Sequence, residues 1–313
     1  MVPLIIAHRG ASGYLPEHTF PAKTLAHEMG ADYLEQDVVA SRDDELIVLH
    51  DIFLDTVTDV ATRFPGRARQ DGHFYVRDFN LAELRELRVW ERMRSDGTAV
   101  YPDRYPAQSG NFCIHTLGEE IAHIQSLNDE SGRQAGIYTE IKRPAWHREE
   151  GADIAPALVQ LLRDYGYGDR SDPVFLQCFD PTEVRRLRNE LNSPWKLVQL
   201  IGLNEWNEAD ADYSAMLTPR GLEQVADYAD AIGPWVRQLY AVEDPDGEAV
   251  SSGVTEAAHN VGLTVHPYTF RLDDLPEGFT SFNRLVRFCV DDLCVDGLFT
   301  DFPDKAREIL MQH

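Results

Sequence analysis

Short β-rich runs alternate with helical patterns from one end of the 313-residue chain to the other, and this alternation limits the fold more than any other feature. The runs span 4–7, 33–40, 45–50, 136–142, 174–179, 196–201, 230–233, 264–270 and 296–300. Between most of them lie segments with apolar residues at helical spacing, such as 154–165, 181–191 and 255–261. Such repetition predicts a parallel sheet covered by helices. Nine runs are one more than a closed (β/α)8 TIM barrel holds. The four residues Ser41-Arg42-Asp43-Asp44 resolve the count. Four residues can close a hairpin, whereas a parallel crossover needs about a dozen. The run 45–50 should therefore lie antiparallel to 33–40 at the barrel mouth, which leaves eight strands for the barrel.

One long insertion follows this hairpin, from about 52 to 115. It is rich in turns, and Asn80 with Glu83 forms a capping-box pattern, as does Thr116 with Glu119. Leaving from the hairpin that follows the second barrel strand, it should sit over the active face as a cap. No repeat, low-complexity tract or linker divides residues 1–313, so the expectation is a single barrel domain carrying this insertion.

The net charge of −24 argues against nucleic acid and anionic membrane surfaces as partners. Lysine supplies only four of the 29 basic residues. No apolar run approaches the roughly 20 residues of a membrane helix, so no stable membrane anchor is expected. The first run begins almost at Met1 without a leader pattern. The expected compartment is cytoplasmic, or periplasmic or secreted if a leader has been removed. The four cysteines lack zinc-like spacing. Cys289 and Cys294 are close enough in sequence for a disulfide, although four scattered thiols suit a reducing compartment.

Charged residues at strand ends carry the chemistry. Glu35 and Asp37 stand at i and i+2 on one strand, so both carboxylates share a face. Burying two adjacent charges is costly, and a bound cation would relieve the cost. Oxygen ligands favour a hard ion, calcium or magnesium. Barrel-rim carboxylates satisfied by arginines or amides would fit the same pattern. Glu140 and Lys142 repeat the geometry on the next barrel strand, with Tyr138 on the same face; a plain Glu–Lys pair is the simpler alternative. Charges near the C-terminal ends of barrel strands read as catalytic more often than structural. His8 ends the first strand and His50, followed by Asp51, ends the hairpin. An imidazole there can exchange protons near neutral pH. Nucleotide-binding loops and the serine-hydrolase elbow are missing.

Together these stretches resemble the glycerophosphodiester phosphodiesterase family, in particular its bacterial branch that releases glycerol 3-phosphate. They are Ala-His-Arg-Gly at 7–10, Pro-Glu-His-Thr at 16–19, Leu-Glu-Gln-Asp-Val at 34–38, Leu-Ile-Val-Leu-His-Asp at 46–51 and Glu-Ile-Lys at 140–142. Leu-Gln-Cys-Phe-Asp at 176–180, Val-His-Pro-Tyr-Thr at 265–269 and Gly-Leu-Phe-Thr-Asp-Phe-Pro-Asp at 297–304 follow in order. The resemblance implies a divalent ion on Glu35, Asp37 and Glu140, calcium before magnesium, and acid–base catalysis by His8 and His50. It also implies phosphate contacts from Arg9 and Lys142, and glycerol-pocket walls from Phe179 and Tyr268. Relatives often have asparagine where this chain has His18, a change expected to alter loop contacts and no catalytic role. The implied reaction is hydrolysis of a small-molecule glycerophosphodiester to sn-glycerol 3-phosphate and an alcohol, through a cyclic phosphate.

Strand alternation would send Arg9 away from His8, so its phosphate role requires the backbone to leave β geometry at or just before Gly10. The alternatives are a barrel phosphodiesterase for lysophospholipids or phosphoinositides, and an inactive glycerophosphodiester-binding protein. The first would need an apolar rim. The second would have no use for two histidines. A carboxylate glycosidase would leave Arg9, Lys142 and both histidines unexplained.

Overall fold

The computed structural model describes residues 2–242 and 247–312. Its strands are β1 (Leu4–Ala7), β2 (Tyr33–Ala40), β3 (Leu46–Val48), β4 (Gly136–Ile141), β5 (Val174–Cys178), β6 (Lys196–Ile201), β7 (Ala231–Pro234), β8 (Tyr240–Val242), β9 (Ala249–Ser251), β10 (Thr264–Val265) and β11 (Gly297–Thr300). Eight of them run parallel in the order β10-β7-β6-β5-β4-β2-β1-β11. Backbone bonds from Asp296 N to Val265 O (3.0 Å), Phe299 N to Pro267 O (3.0 Å) and Phe270 N to Phe299 O (2.8 Å) complete the ring between β10 and β11. The fold is the (β/α)8 barrel with its hairpin, since β3 lies antiparallel on β2 through Val38–Val48, Val39–Ile47 and Ala40–Leu46.

Alternation along the strands sorts side chains into two cores. Ile6, Tyr138, Phe175, Val198, Ala231 and Phe299 point inward and fill the barrel floor. Their outward neighbours pack against the surrounding helices. The helix Ile154–Asp164 buries Ile154, Ala155, Leu158, Val159 and Leu162, the three-and-four spacing of an amphipathic face. A separate apolar cluster joins the hairpin to the insertion: Val39, Ile47 and Leu49 meet Leu54, Val57, Phe79, Leu84 and Ile114. Both capping boxes form, Asn80 with Glu83 and Thr116 with Glu119.

Most runs agree with the sequence expectation to within a residue at each end, and three features depart further from it. The run 45–50 keeps only three ladder residues, so His50 projects beyond the paired strand. The run 264–270 shrinks to two, because Pro267 has no N–H to donate to a ladder; isolated bridges at Tyr268 and Phe270 continue the contact. The antiparallel β8–β9 pair, with three residues in each strand, is too short to show alternation in sequence. All four cysteines are unpaired, with Cys289 buried and Cys294 exposed. No helix among the described residues is long and apolar enough to cross a membrane.

One buried ion pair ties two helices together. Lys23, on the helix Phe20–Glu28, is fully buried with its Nζ 3.0 Å from Glu120 Oε1 on the helix Leu117–Ser131. Lys23 also donates to the Glu35 carbonyl, and His115 Nε2 lies 2.7 Å from Glu120 Oε2. Burial opposes the Glu120 charge, but Lys23 and His115 outweigh it and hold the carboxyl down at about 2.

Candidate active site

β2 turns Glu35 and Asp37 into the barrel mouth, and the β2–β4 register sets Asp37 beside Glu140. Lys142 Nζ stands 2.8 Å from Glu140 Oε1 and 4.0 Å from Asp37 Oδ1. His18 arrives from the loop after β1, its Nε2 2.8 Å from Asp37 Oδ2. Candidate ligand atoms of His18, Glu35 and Asp37 lie within 4.8 Å of one another. Burial pushes Glu35 well above the usual carboxylate range, with Asp37 adding to the rise. Burial likewise pushes Glu140 up to about 8 against the pull of Lys142. For Asp37 burial is outweighed by Lys142 and the His18 bond, which keep it well below that range. Its buried Oδ1 has no hydrogen-bond partner among the described residues. Crowded carboxylates, two of them driven toward protonation, suit a divalent cation.

The exit from β1 answers the question about Arg9. Arg9 (φ +59°) and Gly10 (φ +90°) both adopt the left-handed region, so the chain leaves strand geometry before Gly10. A Cβ on Gly10 would lie 2.8 Å from the Ala22 backbone carbon, a second reason for glycine there. The turn swings Arg9 back inward. Its backbone N donates to Glu35 Oε2 at 2.6 Å, and its Nη1 donates to both Glu17 oxygens at 3.1 Å. Its Nε lies 3.4 Å from Asp37 Oδ2, outside hydrogen-bond geometry.

Each histidine is held by Nδ1. His8 Nδ1 is 2.7 Å from Asp301 Oδ1, and His50 Nδ1 is 2.5 Å from Asp51 Oδ1. This leaves Nε2 as the nitrogen free for chemistry. Both aspartates are held in turn by insertion arginines. Arg104 Nη2 donates to Asp301 Oδ2 at 2.8 Å, as does Arg271 Nε. Arg92 Nη1 donates to Asp51 Oδ2 at 2.5 Å and its Nη2 to Glu17 Oε1 at 2.6 Å. Arg9, Glu17, Arg92 and Asp51 therefore form one continuous chain of ion pairs, which a hydrogen bond extends to His50. Burial, reinforced by Arg9, lowers His8 to about 4; burial with Arg9 and Lys142 lowers His50 to about 3.

A cavity of about 430 Å³ opens over these groups. Eight of the nine residues anticipated from sequence line it: His8, Arg9, Glu35, His50, Glu140, Lys142, Phe179 and Tyr268. Asp37, 1% exposed, is packed against Arg9, His18 and Lys142. Phe179 and Tyr268 meet edge to face at 5.9 Å, and Trp206 with Trp235 at 5.3 Å extends the aromatic wall. The Tyr268 hydroxyl donates to the Ile201 carbonyl at 3.0 Å.

A family model, the glycerophosphoryl diester phosphodiesterase family, matches residues 8–305. The chain belongs to this family. Similar curated proteins include the glycerophosphodiester phosphodiesterase of Haemophilus influenzae, 42% identical over 98% of this chain and 89% of that protein. The glycerophosphodiester phosphodiesterase of Treponema pallidum is 39% identical, over 98% of this chain and 91% of that one. Among solved structures, an Oleispira antarctica phosphodiesterase in complex with the product sn-glycerol-3-phosphate shares the fold. Its TM-score is 0.68 at 18% identity, over 99% of this chain and 98% of that chain. The protein is thus a phosphodiesterase enzyme, and glycerophosphodiesters are its substrate class.

Several residues of the phosphodiesterase site escaped the sequence reading. His18, expected to touch only its loop, is buried on Asp37. Its signal was the substitution itself, next to Glu17 in the loop leaving β1. Asp301 stood in the quoted 297–304 stretch, but its partner His8 is 293 residues away. Arg92 and Arg104 lie in the insertion, where no periodicity marked them. Trp206 and Trp235 carried no motif.

Proposed function

We propose that the enzyme hydrolyses glycerophosphodiesters to sn-glycerol 3-phosphate and an alcohol, using His8 and His50 for proton transfer and one divalent cation. The observation that carries this reading is the convergence of two Asp-held imidazoles, Arg9, Lys142, Glu35 and Glu140 on one cavity, with the Asp37 carboxylate buried beside them. The product named with the Oleispira antarctica structure is in keeping with it.

Glu35, Asp37 and Glu140 would hold the cation, with His18 adjoining. Calcium is preferred over magnesium because it accepts oxygen donors in flexible geometry, whereas magnesium demands a near-ideal octahedron. When bound, the ion supplies Lewis acidity toward a non-bridging phosphate oxygen. Arg9 and Lys142 place fixed positive charge against the same phosphate. One neutral imidazole accepts the proton of the substrate's glycerol 2-hydroxyl at Nε2, and that oxygen bonds to phosphorus. The bond to the alcohol oxygen breaks as the other imidazole, carrying a proton at Nε2 for this step, donates it to the departing oxygen. Water then opens the cyclic phosphate. Phe179 and Tyr268 would form the wall against the glycerol carbons.

Although the chain carries −24 overall, charges beyond about 10 Å are screened at ordinary salt. Around the cavity, a dication with Arg9, Lys142 and Arg271 balances Glu35, Asp37, Glu140, Glu208 and Asp274, so the local field does not repel a phosphate as the overall charge would suggest. The test is glycerol 3-phosphate release from glycerophosphocholine, with and without chelator, in the wild type and His50→Ala. Chelation should abolish turnover and calcium restore it, and His50→Ala should lower kcat by about 10²-fold or more. Full turnover after metal removal would exclude the cation's role, and full activity of His50→Ala would exclude that of the imidazole.

A further inference from the structure

A second, smaller cavity opens from the same histidine pair. It has a volume of about 170 Å³ and lies between the barrel mouth and the insertion, which contributes Glu91, Arg92, Tyr101 and Arg104 to its wall. His8, Arg9, His50 and Arg271 line both cavities. A phosphodiester whose phosphorus sat at this junction would have one ester arm facing each chamber. On the reading above, the glycerol arm lies against the aromatic wall, so the other arm enters the chamber beneath the insertion.

The walls of that chamber specify its occupant. Glu91 is only 4% exposed, and its Oε2 has no hydrogen-bond partner among the described residues. A buried carboxylate oxygen left in this state is costly unless a ligand donates to it. Tyr101 cannot serve as a face for a quaternary ammonium group. The Arg104 guanidinium already lies 3.6 Å from its ring centre, and that of Arg271 lies 5.6 Å away. Four arginines on the wall, Arg9, Arg92, Arg104 and Arg271, outnumber its carboxylates Glu17, Glu91 and Asp301, so the wall has no net negative charge to draw in a cation. At about 170 Å³ the chamber is smaller than the roughly 300–1,000 Å³ of pockets for drug-sized ligands. Acyl chains are therefore excluded as well.

We propose that this chamber receives the leaving alcohol and selects a small polyol, such as glycerol, over a quaternary ammonium alcohol such as choline, with Glu91 accepting a hydroxyl hydrogen bond. The inference rests on the phosphodiesterase reading above and adds its headgroup preference. A hydroxyl donates to Glu91 and accepts from a guanidinium, whereas a trimethylammonium group can do neither.

The test compares kcat/KM for glycerophosphoglycerol and glycerophosphocholine, read as glycerol 3-phosphate release, in the wild type, Glu91→Leu and Glu91→Gln. The wild type should favour glycerophosphoglycerol by about fivefold or more, the value of a buried hydrogen bond to a carboxyl that burial pushes up to about 7 and that is therefore only partly ionised at neutral pH. Glu91→Leu should reduce that ratio at least about fivefold, and Glu91→Gln, which keeps an acceptor oxygen, should retain most of it. Because both diesters are measured on one preparation, the ratio is independent of the fraction folded. Equal cleavage of the two diesters by the wild type, or an unchanged ratio in Glu91→Leu, would overturn the headgroup assignment while leaving the phosphodiesterase reading intact. Failure to cleave either diester with the metal supplied would overturn both.

Discussion

At the scale of single residues, the two imidazoles are held alike, each by an aspartate on Nδ1 with an arginine behind it. Asp301→Asn should therefore lower kcat by about 10²-fold with a smaller change in KM, because an amide can accept from Nδ1–H or donate to Nδ1 and no longer fixes the tautomer. Steady-state kinetics would separate the two effects, and unaltered kcat would remove Asp301 from the positioning set. Arg92→Ala should act in the same direction through Asp51, and Arg92→Lys should recover only part, since one ammonium cannot reach Glu17 and Asp51 with the fork's geometry. How much of this was legible depended on sequence distance. Asp51 adjoins His50 and could be read. Asp301 and the two insertion arginines gain meaning only when the barrel closes. Arg9 was legible by chemistry but not by alternation, because two consecutive left-handed residues reverse its direction.

At the scale of elements, the turn after β1 and the Lys23–Glu120 bridge are the points most sensitive to change. Gly10→Ala forces a Cβ against the Ala22 backbone at positive φ, and thermal unfolding should report a loss of about 1–3 kcal/mol or more. Glu120 gives a pH signature. Its folded carboxyl sits near 2, below the ordinary value of 4.5, so the stabilisation is present above pH 4.5 and disappears as pH falls toward 2. The loss amounts to about 3 kcal/mol. Urea unfolding at stepped pH should reveal it in the wild type. Glu120→Gln should be less stable by about 3–5 kcal/mol at neutral pH, because Lys23 stays buried without its partner, and should have a flatter acid limb. Strand positions were read from alternation over four to eight residues. The missed pieces had no such signal: β8 and β9 have three residues each, and Pro267 interrupts the ladder at β10.

At the scale of the whole molecule, the insertion and the barrel share the hairpin, whose Val39, Ile47 and Leu49 pack under Leu54 and Ile114. We propose that residues 1–313 unfold as one unit. Far-ultraviolet circular dichroism and tryptophan fluorescence should then give coincident transitions, and a separate early step confined to the insertion would refute it. Leu54→Ala should cost about 2–5 kcal/mol and lower activity together with stability, since the loosened segment carries Arg92 and Arg104. The scarcity of lysine adds a practical consequence. Of four side-chain amines, Lys23 and Lys142 are buried at 0% and 4% exposure, while Lys196 and Lys305 reach solvent. Among the side chains, an amine-reactive mass tag at low dose should mark only the latter two, besides any free α-amine. Any label on Lys142, which lines the open cavity but is held by Glu140 and Asp37, would then count how often that ion pair breaks, one adduct at a time.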